Sequence, residues 1–296
     1  MKKKLVLIDG SSYIYRAYYA LPPLTSPKGV PTGAIYGFIR MITKLLNEIN
    51  PDYIAVVFDK SAKTFRHEKY QDYKANRKET PDDLKIQIPI IKKIINLFGI
   101  KVIEKEGFEA DDIIATLAKK AKEKEFEVYI ITPDKDFFQL VEDGIYVFNP
   151  INEKLYDIQG VKEKYGIYPY QFVDYQAIVG DAVDNIKGVK GVGPKTASKL
   201  LNEYGNLEGI LNNLDKLPER IKTAFEEAKD NLEKNRFLVK LNSNVPIEID
   251  IEELKKGKTQ WEALLEQFNE LGFKSLLKEM KKKEKDEKKA AQKKLF

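Results

Sequence analysis

The sequence predicts an α/β domain, a mostly parallel sheet wrapped by helices, followed by an all-α domain and a charged tail. Three observations carry this. Short apolar runs alternate with amphipathic stretches through the first half of the chain. From about residue 180 the strand-like runs largely stop and helical periodicity takes over. The last stretch, Lys278 to Phe296, is mostly charged. The expected boundaries are therefore 1–179, 180–277 and 278–296.

Lys4–Ile8 reads as a strand, and a helix starts after Ser11-Ser12. Ile54–Phe58 is a second strand. Asp82 to Phe98 places Leu84, Ile88, Ile91, Ile94, Ile95 and Phe98 at helical spacing and stops at Gly99. Lys101–Glu104 is a short strand. Ala110–Lys122 is a helix with Ile113, Ile114, Leu117, Ala118 and Ala121 inward. Glu127–Thr132 and Ile145–Phe148 are strands. Strand, helix, strand in this order implies parallel pairing. Helices follow at Thr196–Tyr204, Pro218–Leu241 and Thr259–Leu271.

The 296 residues are 43% hydrophobic and 33% charged, which fits a globular chain. No apolar run approaches the roughly 20 residues needed to span a bilayer. The N-terminal apolar run ends at Asp9, too early for a signal peptide, so a cytoplasmic location is expected. There is no Cys and one His. Disulfides, thiolate zinc sites, Cys nucleophiles and most His-based triads are excluded. Lys plus Arg number 51 against 46 Asp plus Glu, a net charge of +5. The tail alone holds nine Lys and four acids, so residues 1–277 balance. Charge must be read locally.

Ligands of open α/β sheets bind beyond the carboxyl ends of the strands. The first strand ends at Asp9 and the second at Asp59. The third leads to Glu109, Asp111 and Asp112, and the fourth to Asp134 and Asp136. Asp181 and Asp184 follow, three residues apart and so on one face of a helical turn. One such acid is ordinarily a helix cap. The ensemble is not explained that way, because gathered carboxylates repel and raise each other's pKa. A divalent cation is the usual compensation. Oxygen ligands without His or Cys favour Mg²⁺ or Mn²⁺ over Zn²⁺. This many acids suits two ions, the arrangement that stabilises both attacking and leaving oxygens at phosphorus.

Between Lys60 and Thr80 lie Lys60, Lys63, Arg66, Lys69, Lys74, Arg77 and Lys78 against Glu68, Asp72 and Glu79. Phe65, Tyr70 and Tyr73 are interleaved. Basic residues with aromatics fit a surface that grips phosphates and stacks bases; an exposed, solvated segment is the alternative. Lys74 and Arg77 are the best candidates to neutralise a scissile phosphate. His67 reads as structural or as a phosphate contact. Further on, Gly188-Val189-Lys190-Gly191-Val192-Gly193-Pro194-Lys195-Thr196 is neither a Walker loop, since Pro194 takes the Lys position, nor a dinucleotide fingerprint. It fits a helix-hairpin-helix, in which the hairpin and helix amides hold phosphates without reading bases. Lys187, Lys190, Lys195 and Lys199 suit that role; a packing element is the alternative.

Together these motifs resemble the 5′-nuclease (flap endonuclease) superfamily, PIN-like in its sheet, and specifically the 5′–3′ exonuclease domain of bacterial family A DNA polymerases. They are Leu7–Ser12, Val57–Asp59, Phe65–Glu68, Tyr73–Arg77, Glu109–Asp112, Thr132–Asp136, Gly180–Asn185 and Gly188–Gly193. The resemblance implies a first metal group of Asp9, Asp59, Glu109, Asp111 and Asp112, and a second of Asp134, Asp136, Asp181 and Asp184. It implies a helical arch at 60–85 that admits a 5′ single strand, with Lys74, Arg77 and Arg66 as catalytic cations and Lys63, Tyr70 and Tyr73 on the nucleic acid. It also implies duplex contacts from Gly188, Lys190, Gly191, Gly193, Lys195, Thr196 and Lys199, with K⁺ on backbone carbonyls of the hairpin. Ala182 and Lys187 depart from the Ser and Pro usual in the family, and neither position supplies a carboxylate. The expected activity is Mg²⁺-dependent cleavage of 5′ flaps or 5′ ends of DNA, or of RNA primers, by a monomer without a polymerase domain. The alternative is a weakly active DNA-structure-binding accessory protein of the same fold. The ending Gln292-Lys293-Lys294-Leu295-Phe296 resembles the peptide by which bacterial replication proteins dock on the sliding clamp, through Gln292, Leu295 and Phe296.

Overall fold

The computed structural model describes residues 2–60 and 63–293. In chain order the elements are β1 (Lys4–Asp9), α1 (Gly10–Ala20), α2 (Gly33–Ile49), β2 (Tyr53–Val57), α3 (Phe65–Lys69), α4 (Asp82–Leu97), β3 (Lys101–Ile103), α5 (Ala110–Glu123), β4 (Glu127–Ile131), β5 (Ile145–Asn149) and β6 (Lys154–Tyr156). Then come α6 (Ile158–Tyr165), α7 (Phe172–Val179), β7 (Gly180–Asp181), β8 (Ile186–Lys187), α8 (Pro194–Tyr204), α9 (Leu207–Leu211), α10 (Glu219–Val239), α11 (Trp261–Glu270) and α12 (Lys274–Lys293).

The chain divides into two units. The first comprises Met1–Asp9, Asp59–Glu79 and Glu104–Ile249. Its β1 pairs in parallel with β4, Ile8 opposite Ile131, and β4 pairs in parallel with β5. β6 closes this series antiparallel to β5. Leu5 to Ile8 expose no surface, as continuous apolar runs in covered parallel strands should not. α5 covers β1 and β4 with Ile113, Ile114, Leu117, Ala118 and Ala121 buried as expected. Helices follow from α6 to α10, so the helical second half is also as expected.

The second unit comprises Gly10–Phe58, Thr80–Ile103 and Asp250–Phe296. β2 and β3 pair in parallel within it. α2 buries Ile35, Phe38, Ile39, Ile42 and Leu45 on one stripe. Residues 278–293, expected as a flexible charged tail, instead continue α12. Leu276 and Met280, four apart, are fully buried, and Lys283 Nζ donates to Asn47 Oδ1 at 2.8 Å. Arg40 Nη1 donates to Glu279 at 2.7 Å and Trp261 Nε1 to Glu287 at 3.0 Å. One apolar stripe and these side-chain ties suffice to order a helix whose other faces are charged. Leu295 and Phe296 lie outside the described residues, and Gln292 is exposed at the end of α12.

Candidate metal and nucleic-acid site

The acidic residues named from the sequence all belong to the first unit. Parallel pairing places Asp9, at the end of β1, beside Thr132, which follows β4. Thr132 Oγ1 donates to Asp9 Oδ2 at 2.9 Å in a buried setting. The same hydroxyl accepts from the Asp134 amide at 3.1 Å, which turns the chain and brings the next acids round. Asp134 Oδ1 accepts from the Asp136 amide at 2.9 Å, an N-cap of the following 3₁₀ turn. Asp59 Oδ1 accepts from the Ala110 amide at 2.8 Å, at the start of α5, where the helix N-terminus favours a carboxylate. Glu109, Asp111 and Asp112 stand at the same helix start.

The consequence is a concentration of like charge. Burial, then Asp9 and Asp134, with Asp59 adding, push the Asp111 carboxyl well above the usual carboxylate range. Burial and Asp134 likewise push Asp136 up to about 7. Among the described residues no group of three or more His, Asp or Glu side chains is arranged to hold an ion as it stands. Several of the acids are taken by lysine and arginine instead. Lys74 Nζ lies 2.9 Å from Glu109 Oε1 and 3.9 Å from Asp184 Oδ2. Arg77 Nη2 donates to Asp184 Oδ1 at 2.5 Å. Lys135 Nζ contacts both Asp136, at 3.1 Å, and Asp181. Burial alone would raise Asp181; the bond from Lys135 outweighs it and holds the carboxyl below its ordinary value. Lys74, Arg77 and Lys135 are all held above their ordinary values, because the facing carboxylates outweigh their burial.

A hard divalent cation fits this donor set. The candidate ligands are all carboxylate oxygens, and the excess negative charge at Asp9, Asp59, Asp111 and Asp134 raises the pKa of Asp111, a cost an ion would relieve. The structure draws Asp9, Asp59, Asp111 and Asp134 together electrostatically. It links Asp136 with Asp181 through Lys135, and Glu109 with Asp184 through Lys74.

Two expected residues are placed differently. Arg66, expected among catalytic cations, is 1% exposed and forks onto Asp112 at 2.7 and 2.8 Å. Its remaining N–H groups donate to Leu238 O at 2.9 Å, Lys240 O at 2.8 Å and Glu109 Oε2 at 3.2 Å. Asp112 has no exposed surface and also accepts from the Asn242 amide at 2.8 Å. This bidentate pair ties α3 and α5 to the end of α10 and the segment after it, so the N–H groups of Arg66 and both oxygens of Asp112 are already engaged within the protein.

The aromatics of the basic stretch also turn inward. Tyr73 is buried in a cluster with Ile186, Leu238 and Val239, against which Tyr70 packs. Its hydroxyl donates to Glu109 at 3.3 Å and Asp184 at 3.4 Å. Phe65 meets Phe237 edge-on at 5.9 Å. Tyr73 is therefore core, not a base-stacking surface, and Tyr70 is half-buried. Lys63 is exposed. His67 caps its own short helix, its Nδ1 within 2.9 Å of Thr64 Oγ1, and burial first of all lowers its pKa. Among the described residues of this unit, the expected arch contains the five-residue α3 and turns. The stretch is stitched to the acidic turn: Lys74 N donates to Asp184 O at 3.2 Å, Asn76 Nδ2 to Ala182 O at 2.8 Å and Asn185 Nδ2 to Asp72 O at 2.9 Å. Lys74 adopts φ +56°, which brings its side chain back over Glu109.

Asp181 and Asp184, expected on a helical turn, instead end β7 and lie in the turn that joins it to β8, respectively. Gly188, next in line, packs so close to the chain that a Cβ would lie 2.3 Å from Val179 C and O. Gly191 has φ +76°, and Gly193 precedes Pro194 at the first position of α8. Lys187, Lys190, Lys195 and Lys199 are exposed and Thr196 is half-buried, so the lysines present an open cationic surface. Asn235 of α10 secures the hairpin by donating to Ala177 O at 3.0 Å and Lys187 O at 2.8 Å. Asn235, Gln176 and Lys135 were not singled out from the sequence. For Lys135 the signal was present, since it sits between two marked acids.

Residues 4–166 match the model for the 5′-3′ exonuclease N-terminal resolvase-like domain, and residues 167–262 that for the 5′-3′ exonuclease C-terminal SAM fold. The chain belongs to the 5′-3′ exonuclease family. It is a nuclease, as the combined resemblance implied. A 5′-3′ exonuclease of Aquifex aeolicus is 47% identical over 95% of this chain and 96% of its own length. A DNA polymerase I of Caldicellulosiruptor bescii is 44% identical over 94% of this chain, which spans 33% of that longer protein. Among solved structures, T5 5′-exonuclease with bound divalent metal ions (zinc) aligns at TM-score 0.68 and 25% identity, covering 81% of this chain and 90% of that one. A bacteriophage T5 flap endonuclease in complex with DNA and metal ions shares the fold at TM-score 0.68 and 21% identity, covering 95% and 97% of the two chains.

Proposed function

We propose that the chain hydrolyses phosphodiester bonds at the base of 5′ flaps and near 5′ ends of DNA, with two Mg²⁺ ions that Mn²⁺ can replace. The observation that carries this is the Asp9–Asp59–Asp111–Asp134 concentration of charge, with Lys74 and Arg77 beside it. The ions supply neutralisation of the attacking and leaving oxygens. Asp9, Asp59, Glu109 and Asp111 are the candidate ligands of one, and Asp134, Asp136, Asp181 and Asp184 of the other. Lys74 and Arg77 exchange their carboxylate partners for the scissile phosphate and hold the charge that develops there. Asp112 and Arg66 keep the start of α5 in position. The exposed lysines of the hairpin bind the duplex through its phosphates, and the hairpin would hold a K⁺ that strengthens this grip. We extend the proposal to a monomer acting in the cytoplasm that docks on a sliding clamp through Gln292, Leu295 and Phe296. Deletion of residues 292–296 is expected to abolish clamp binding and spare cleavage; unchanged clamp affinity ends that part. For the site, Asp134→Asn and Asp181→Asn are expected to bind a flap substrate normally and fail to cleave it. Full cleavage by both variants in Mg²⁺ would sink the two-ion assignment. RNA flaps compared with DNA flaps decide whether primers are substrates.

A further inference from the structure

Lys135 has no part in the reading above, yet its ammonium is engaged by two acids. Its Nζ lies 3.1 Å from Asp136 Oδ1 and in closer contact with Asp181 Oδ2, a residue 46 positions further along the chain. The ammonium therefore spans two acids delivered by different elements. The surroundings hold both acids for it. Asp136 Oδ1 also accepts from Gln176 Nε2 at 2.5 Å, and Gln176 is 1% exposed. Asp181 Oδ1, the oxygen that Lys135 leaves, accepts from the Val183 and Asp184 amides at 2.8 and 3.4 Å. Each acid thus offers one fixed oxygen to a shared point, and a cationic nitrogen occupies that point.

We propose that Lys135 is the resident counter-cation of the second acidic set: it holds Asp136 and Asp181 together while no divalent ion is bound, and it must withdraw for an ion to bridge them. The inference rests on the two-ion reading given above. Two carboxylates within reach of one ammonium repel when nothing lies between them, and the ammonium removes most of that repulsion. A divalent ion would do so more fully but meets a positive charge already in place. The lysine stem is flexible and its side chain is 39% exposed, so withdrawal needs no backbone movement. Two consequences follow. The ion-free protein depends on Lys135 for part of its stability, and the second ion loads more weakly than the first.

The test compares wild type with Lys135→Met, which keeps the stem and removes the charge, and with Lys135→Arg, which keeps the charge. Thermal melting is measured in EDTA and in saturating Mn²⁺, and Mn²⁺ binding by calorimetry. The Met variant is expected to melt below wild type in EDTA and level with it in Mn²⁺. Its weaker Mn²⁺ site is expected to tighten about tenfold, which is about 1.4 kcal/mol. The Arg variant should keep the wild-type melting temperature in EDTA. An unchanged EDTA melting temperature for Lys135→Met, an unchanged weaker site, or a Met variant unfolded in both conditions overturns the proposal. Failure of the two-ion reading is visible separately, since wild type would then bind one Mn²⁺ only.

Discussion

Replacing Arg66 with Met is expected to destabilise the protein by about 3–5 kcal/mol, the range for removing one partner of a buried ion pair. Methionine fills most of the volume of the arginine stem, so cavity formation contributes little. The loss is polar. Asp112, with no exposed surface, would retain only the Asn242 amide at 2.8 Å. Leu238 O and Lys240 O would lose donors at 2.9 and 2.8 Å. Each orphaned buried group costs about 1–3 kcal/mol when no water replaces the donor. The assay is urea unfolding followed by circular dichroism, for Arg66→Met, Asp112→Leu and the double variant. Because the two side chains fork onto each other, the cycle is expected to show a favourable coupling of at least about 2 kcal/mol between Arg66 and Asp112. A loss below about 1 kcal/mol in Arg66→Met, with cleavage abolished, would return Arg66 to the catalytic cations.

Further expectations concern the other placements. Tyr73→Ala should cost about 3–5 kcal/mol of stability, as for a large aromatic removed from a core, whereas Tyr73→Phe should cost about 1 kcal/mol or less; a Tyr73→Ala protein with native stability and weakened DNA affinity would mean the ring stacks on bases after all. Gly188→Ala places a Cβ 2.3 Å from Val179 C and O, so the hairpin must open, and duplex affinity read by fluorescence anisotropy should fall. Replacing Lys190, Lys195 and Lys199 together by Ala should reduce the slope of log affinity against log salt by about 0.9 for each phosphate no longer neutralised, measured by fluorescence anisotropy; an unchanged slope removes the hairpin from the DNA interface.

Much of the fold was open to inspection because period and run length are local properties. β1 and β4 are uninterrupted apolar runs ended by polar residues, and α5 shows its buried stripe directly. α12 is not among the helices expected from the sequence, because its outer faces are so charged; among its described residues Leu276 and Met280 are the fully buried ones on its inner stripe. The acidic positions from Asp9 to Asp136 were legible because they stand at or after strand ends, and Asp181 and Asp184 because they lie three residues apart. Their partners were not. Nothing in the order of Arg66, Lys74 and Arg77 tells that the first is sealed against Asp112 while the others face Glu109 and Asp184. The same limit applies to Tyr70 and Tyr73. Interleaved aromatics and lysines look alike whether the rings meet bases or α10, and only the cluster with Leu238 and Val239 decides it.

In the proposed mechanism, carboxylates spread over strand ends and one turn hold two ions that act together on one phosphodiester. Single-turnover cleavage of a 5′-labelled flap DNA across a Mg²⁺ titration tests it most directly. No cleavage in EDTA, a product mapping to the flap base, and a rate that rises with the square of Mg²⁺ concentration at its low end are expected. Cleavage persisting in EDTA, or a rate first-order in Mg²⁺ throughout with neither site filled in advance, would contradict it.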